Sequence, residues 1–532
     1  MGIRKKVKSR KIKDARFKPK TYVITAAQGI QNPYHAFLYG RDPSKGKVIR
    51  SLLQNIERYV GDNNGELRID AIPGSYISER SLDPILHDRP DVFMEKNAKT
   101  KLAIDREKER AKRAGWEARK LKAEEREIDF DASMPMHYFW EEIPDENYEA
   151  TGKRLNSNMH ELGIPEPPQN QNPLAGKALH TRMDNGISFV MGSTKQMLEP
   201  VASGQSSVFP RLMFASGAIT RGNYNCGNRV GFTADSMHEL GFFVVDILDD
   251  KLYLPRLVPA NANGMFVDLG MKYALGKDPE KIRPIVLMFG DSHVSEMDPV
   301  THRANLEMLT WFKPKHLHVN DIFNAQSVTP HDKDKALELM YKAEAGEDDL
   351  EKELVGVRDY LVELSSYLGD GEIVINYSNH DDMLRRWLEK GEDRRDPKNS
   401  RLGSLIFGKM QKYMPVLEVA LKEIGTLPPR VRFLKLGEDA IYEGVQCGAH
   451  GDRGKNNSRG SLKSLSDGYI RAMMGHVHQP AVRHKSMSCG TSSKIPLDYQ
   501  LGAPSTSMAG NGVLYPGGLM QALPIINGRW RK

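Results

Sequence analysis

Three cysteines in 532 residues, Cys226, Cys447 and Cys489, are too few and too scattered for a disulfide framework or a zinc knuckle. That usage suits a reducing compartment. No run of about 18 apolar residues occurs, so no membrane-spanning helix and no membrane partner are expected. The basic N-terminus is not followed by an apolar h-region, which argues against a secretory signal and for a cytoplasmic location. Net charge is scarce too, once one segment is set aside. The formal charge is +7, but residues 1–20 hold ten Lys and Arg against Asp14 alone, and the rest of the chain is close to neutral. Such a tail binds phosphate backbone non-specifically by counterion release, and DNA is the partner it suggests ahead of a merely solubilising arm.

What remains is ordinary globular composition, 39% hydrophobic and 27% charged, in a chain longer than one core usually supports. An α/β class with two or more domains is expected. Thr21–Ala27 and Glu66–Ile72 read as strands around a helix at Lys47–Val60, a βαβ start. Residues 95–127 carry twelve basic and eight acidic residues with few large apolar ones, so a solvated helix is favoured over a DNA-binding helix. A protruding helical arm or a homo-oligomer contact is the alternative use of such a segment. Residues 164–176 form a proline-rich linker or surface loop. Residues 187–271 are mostly strand-like runs, and His180 just before them and His238 within them lack ligand spacing and read as structural. No motif assigns chemistry to residues 21–275. The polar stretch Leu275–Pro284 reads as a domain boundary, with a second domain over 284–532.

That second domain opens on Pro-Ile-Val-Leu-Met-Phe-Gly-Asp-Ser-His, an apolar strand ending in Asp291 and His293. Two residues apart on extended backbone, a carboxylate and an imidazole point the same way and can grip one metal ion. Four further fragments follow: HVNDIFN with Asp321, NYSNHDD with Asn379, His380 and Asp381, CGAHGD with His450, and MGHVHQP with His476 and His478. Together they resemble the calcineurin-like metallophosphoesterase family, whose pattern runs D-x-H, G-D, G-N-H-D/E, H, G-H-x-H. Two positions depart from it: Asn320 and Ser378 stand where the family has Gly. Local patterns place a helix at Leu306–Phe312, a strand at His316–Val319 and a helical stretch at 333–368 broken near Gly346. A helix at Leu402–Ile424 and strands in VRFLKL, AIYEGVQC and GYIRAMMGH follow.

The resemblance implies a double β-sheet sandwich flanked by helices and two divalent ions. Asp291, His293, Asp321 and His478 would hold the first ion; Asn379, His450, His476 and the bridging Asp321 the second. Imidazole, carboxylate and amide donors without thiolate suit Mn, Fe or Zn. His380 would protonate the leaving oxygen or stabilise the charged phosphate, with Asp381 fixing its tautomer. The large N-terminal addition, the basic arm and the wordings GDSH and NDIF make the chain similar to the SbcD-type nuclease branch. As a whole it looks like the early host-DNA-degrading proteins of T5-like bacteriophages, which implies a Mn-dependent DNase in the host cytoplasm. A phosphatase or phosphodiesterase acting on small molecules or proteins, and a DNA-binding scaffold with an inert metal fold, are the competing readings.

Overall fold

The computed structural model describes residues 19–28, 47–72, 148–149, 152–163 and 170–532, apart from 205, 206, 225, 227, 228, 331, 333, 498 and 499. The basic arm up to residue 18, the charged segment 95–127 and residues 164–169 of the proline-rich stretch lie outside the described residues.

The apolar run before Gly290 forms a strand covered on both faces, which is why it carries no polar alternation. β1 (Val286–Met288) lies inside a six-stranded mixed sheet with β2 (His316–Val319), β3 (Glu372–Ile375), β4 (Val431–Phe433), β5 (Gly510–Leu514) and β6 (Met520–Pro524). The order is β4-β3-β2-β1-β5-β6. Neighbours among β1 to β4 are parallel, whereas β5 pairs antiparallel with β1 and with β6. Parallel neighbours need crossovers. Helices α1 (Pro299–Phe312), α2 (Leu350–Leu368) and α3 (Asn379–Glu389) lie in them. α1 begins where the Asp298 carboxylate accepts the Thr301 N–H at 2.9 Å, with Pro299 in the first turn.

Side chains of β1 alternate between faces. Leu287 and Phe289 pack against the helices, among Met308, Leu361 and Trp387. Val286 and Met288 enter a second core with Phe214, Phe243, Met473 and Met487. That core draws on both halves of the chain. Met473–Met474, Ser486–Ser488 and Ala481–Arg483 continue, through the pairing of Val482 with Leu198, into an eight-stranded sheet completed by Ser193–Val201, Arg211–Gly217 and three further N-terminal strands. Lys20–Gln28 and Glu66–Ile72 pair in parallel across the helix Arg50–Asp62, as the βαβ pattern predicts, and Gly241–Ile247 and Tyr253–Pro259 extend their sheet. The fold is mixed α/β. Leu275–Pro284 is therefore a break in composition and not in packing, because strands before and after it share one sheet and one core.

Two local expectations change. Leu402–Ile424 is two helices, Ser400–Lys409 and Val416–Ile424, because Pro415 excludes helical backbone from the residue before it. In GYIRAMMGH only Met473–Met474 is strand; Gly468 and Tyr469 end the helix Leu462–Tyr469, and Ile470 stops it at φ 67°. Gly346 breaks the 333–368 stretch as expected, at φ 68° between helices Ala336–Ala345 and α2. Among the described residues no helix is long and apolar enough to cross a membrane.

A buried charge cluster fastens the halves together. Arg256 donates from Nη1 to Asp246 at 2.7 Å, from Nε to Asp268 at 2.7 Å and from Nη2 to the Tyr59 hydroxyl at 3.0 Å. Gln521 of β6 donates to the same Asp268 at 2.8 Å. Burial alone would raise the Asp246 carboxyl, but Arg256 and the Thr21 hydroxyl outweigh it and hold it below the ordinary range. A depressed carboxyl stabilises the fold above the pH where the unfolded chain titrates, about 4, and loses that contribution as pH falls through its lower folded value. Arg256→Ala strands two buried carboxylates and should cost about 3–5 kcal/mol in urea unfolding at neutral pH. A loss below about 1 kcal/mol, the scale of an exposed ion pair, would mean that the cluster is not the fastening it resembles.

Candidate metal centre

Asp291 follows β1, Asp321 follows β2, and Asn379 and His380 open the helix after β3. These are the carboxyl ends of parallel strands, where open α/β sheets place their ligands. The first two loops keep pairing beyond the strands: Ser292 N–H meets Asn320 O at 2.9 Å and His293 N–H meets Asp321 O at 2.7 Å. His450 arrives after the short hairpin of Ile441–Tyr442 and Val445–Gln446, and His476 and His478 arrive after Met473–Met474.

All seven residues expected as ligands come together. Asp291, His293, Asp321 and His478 form one donor group and Asp321, His450 and His476 a second, with donor atoms in each within 4.8 Å of one another. Asp321 belongs to both. His478 Nε2 lies 2.9 Å from Asp291 Oδ2, His450 Nε2 3.2 Å from Asp321 Oδ2, and His293 Nε2 3.1 Å from His478 Nε2. Asn379 Oδ1 reaches His450 Nε2 at 3.2 Å. His293, Asp321, His476 and His478 all sit at positive φ, between 39° and 67°. Left-handed backbone at non-glycine residues costs of order 1–3 kcal/mol each and clusters where function requires it. Gly475 gives room for the turn, since a Cβ there would stand 2.3 Å from Asp291 Oδ1.

The donor set fits divalent cations. Asp291 Oδ2 and Asp321 Oδ1 are buried and meet no hydrogen-bond criterion among the described residues, although His478 Nε2 lies 2.9 Å from the former. Buried carboxylate oxygens in that condition are costly unless a cation meets them. Without metal, imidazole supplies the charge. Burial would lower His450, but Asp321 and then Asp291 outweigh it and lift the imidazole to about 10. His293 goes the other way, to about 3, through burial and the neighbouring His380. Asp321 is held well below the carboxylate range despite burial, chiefly by His450 and His380.

His380 and Asp381 part company. His380 stands at the rim, with Nε2 3.9 Å from Asp321 Oδ2, its ring 4.9 Å from that of His293, and Nδ1 2.7 Å from the Asn324 carbonyl. Asn324, and not Asp381, therefore orients it. The Asp381 carboxylate accepts the Ser378 N–H at 2.9 Å in a capping box that starts α3, and burial raises its pKa to about 7. Ser378, one of the two departures from the pattern the sequence resembles, sits in extended backbone at φ −126°, which needs no glycine.

Asn320, the other departure, proves structural to the site. Its Oδ1 lies 3.3 Å from His450 Nδ1 and accepts from Asn376 Nδ2 at 3.0 Å, while its Nδ2 donates to Phe289 O at 3.1 Å. Asn376 is held in turn by His318 at 2.9 Å, and His318 by the Tyr442 hydroxyl at 3.3 Å. Sequence reasoning missed this buried chain, because two amides just past strand ends and a histidine inside a strand carry no ligand spacing.

One curated protein bears on this chain. It is similar to Protein A1 of Escherichia phage T5. The two are 24% identical over 375 residues, covering 67% of this chain and 66% of that protein, just under two thirds of its length. No family model matches the chain, and no solved structure matches it.

Two outcomes follow from the geometry. Ligation needs His450 neutral, so titrating the metal-free protein with Mn²⁺ at neutral pH should release about one proton from this imidazole. Calorimetry in two buffers of different ionisation enthalpy reads that release. Equal apparent enthalpies would contradict it. Asn320→Ala removes the acceptor that orients His450 and should weaken metal binding about 10- to 100-fold with the fold intact by circular dichroism; unchanged affinity would make Asn320 a packing residue only.

Proposed function

We propose that this chain is a dinuclear-metal phosphodiester hydrolase whose substrate is DNA. The observation that carries the reading is Asp321, a buried carboxylate shared by two donor groups at adjacent strand ends. Two divalent ions held there, Mn²⁺ first with Fe or Zn as alternatives, would supply a clamp for a phosphodiester and an activated water. The chain's own residues do the rest. Asp291, His293 and His478 fix one side of the clamp, and Asn379, His450 and His476 the other. His380, with Nδ1 held by the Asn324 carbonyl, presents Nε2 to the centre, 3.9 Å from Asp321 Oδ2, where it can donate a proton to the leaving oxygen.

DNA is preferred to a small ester for two reasons. The basic residues 1–20 give the chain a segment suited to phosphate backbone. The similarity to a phage protein suits a hydrolase working in an infected cell, with host DNA in the host cytoplasm as its target. Incubation with Mn²⁺ and plasmid, linear or single-stranded DNA, beside a bis-nitrophenyl phosphate, tests the reading. Cleavage of the small ester with untouched DNA would move the assignment to a phosphatase or small-molecule phosphodiesterase. Binding without hydrolysis of either would leave a DNA-binding scaffold.

His380 separates chemistry from metal binding. His380→Ala should retain metal yet slow DNA cleavage by about 10²–10⁴-fold, with a smaller loss on the nitrophenyl ester, whose leaving group needs no proton. Equal losses on both substrates would assign the residue a structural part.

A further inference from the structure

The residues after His450 form a loop that the metal centre does not use: Gly451, Asp452, Arg453, Gly454, Lys455, Asn456, Asn457, Ser458, Arg459 and Gly460, followed by Lys463 on the next helix. Four cations and one anion lie within thirteen residues. Arg453 is committed, ion-paired with Asp382 of α3 and with Asp452. Lys455, Arg459 and Lys463 are exposed and make no ion pair among the described residues. Beyond Lys463 the next acidic residue, Asp467, is exposed one turn further along the helix.

The loop is built. Gly454 N–H meets Ser458 O at 2.7 Å, Gly460 N–H meets Asp452 O at 3.0 Å, and Arg453 and Arg459 form an antiparallel bridge, so the segment is a narrow hairpin. Asn456 and Asn457, both at positive φ, turn its tip, and the Ser464 hydroxyl accepts the Lys455 N–H at 2.8 Å, tying the tip to the helix behind it. At its base a Cβ on Gly451 would stand 3.4 Å from His476 Cβ. The Arg453–Asp382 pair fastens the same base to the helix that carries Asn379 and His380. The hairpin is thus rooted between ligands of the second donor group, and it and the helix behind it carry three exposed cations that make no ion pair among the described residues.

We propose that this hairpin is the rim over which a nucleic-acid strand runs, with Lys455, Arg459 and Lys463 taking phosphates that flank the one at the metal centre. The proposal rests on the phosphodiesterase reading and deepens it, because a small ester has no flanking phosphates for these side chains to meet. Phosphate contacts position a strand and carry no sequence information, so the rim favours length of substrate over sequence. Each lost contact removes about 0.9 from the slope of log affinity against log salt on duplex DNA and about 0.7 on single strands.

The test is the full-length triple variant Lys455→Gln, Arg459→Gln, Lys463→Gln beside wild type. Fluorescence anisotropy with labelled duplex and single-stranded oligonucleotides, in chelator and across a salt series, should show affinity at low salt reduced at least tenfold. The duplex slope should flatten by roughly 2 to 3. With Mn²⁺, the ratio of DNA cleavage to bis-nitrophenyl phosphate hydrolysis should fall at least tenfold. An unchanged slope overturns the proposal whatever the turnover; a flattened slope with an unchanged ratio overturns the placement of the strand across the centre. Wild type that hydrolyses neither substrate would sink the phosphoesterase reading instead, and the slope would still decide whether the hairpin holds nucleic acid.

Discussion

Two carboxylates that cannot both be left bare organise this molecule. Asp291 and Asp321 are buried at the ends of neighbouring strands, each with an oxygen that no described N–H or O–H satisfies. Four imidazoles answer them, and they answer unequally: His450 is pushed toward the charged form while His293 is pushed toward the neutral one. The asymmetry follows from position. His450 stands 3.2 Å from Asp321, whereas His293 lies 3.9 Å away and faces two other rings.

The surrounding fold is arranged to bear that load. Left-handed backbone at four ligand positions is held by strands on both sides, by the Gly475 turn and by the chain from Asn320 to Tyr442. The sheet that carries His476 and His478 is completed by strands from the first half of the chain, so residues with no chemistry of their own decide where two ligands lie. Arg256 and Gln521, through the shared Asp268, fasten that half to β6 as well.

Much of this was legible before any coordinates. The D-x-H spacing put Asp291 and His293 together after one strand, and the resemblance to the metallophosphoesterase pattern implied five more donors at the same place. The α/β class and the opening βαβ unit were equally plain, since alternation and apolar runs report burial directly. What escaped was whatever depends on partners distant in sequence. Asp381 beside His380 invites pairing, yet the carboxylate turns back to cap its own helix and a carbonyl from the loop after β2 takes the imidazole. Asn320 looked like a loss of a glycine and is instead a support for His450. Leu275–Pro284 has the composition of a boundary, but pairing of Val482 with Leu198 across it appears in no local pattern.

The position of β5 has a consequence for the order in which the chain is made. β1, which leads to Asp291, is flanked on one side by β2 and on the other by β5, which is synthesised long after it, and the β5 neighbour β6 carries Gln521 back to Asp268. Pairings of such high sequence separation close slowly and late. On the ribosome, then, Asp291, His293 and Asp321 emerge together while β1 is still an open edge and the strands bearing His476 and His478 do not yet exist. Translation itself therefore keeps both donor groups incomplete until the segment that carries His476 and His478 has been made.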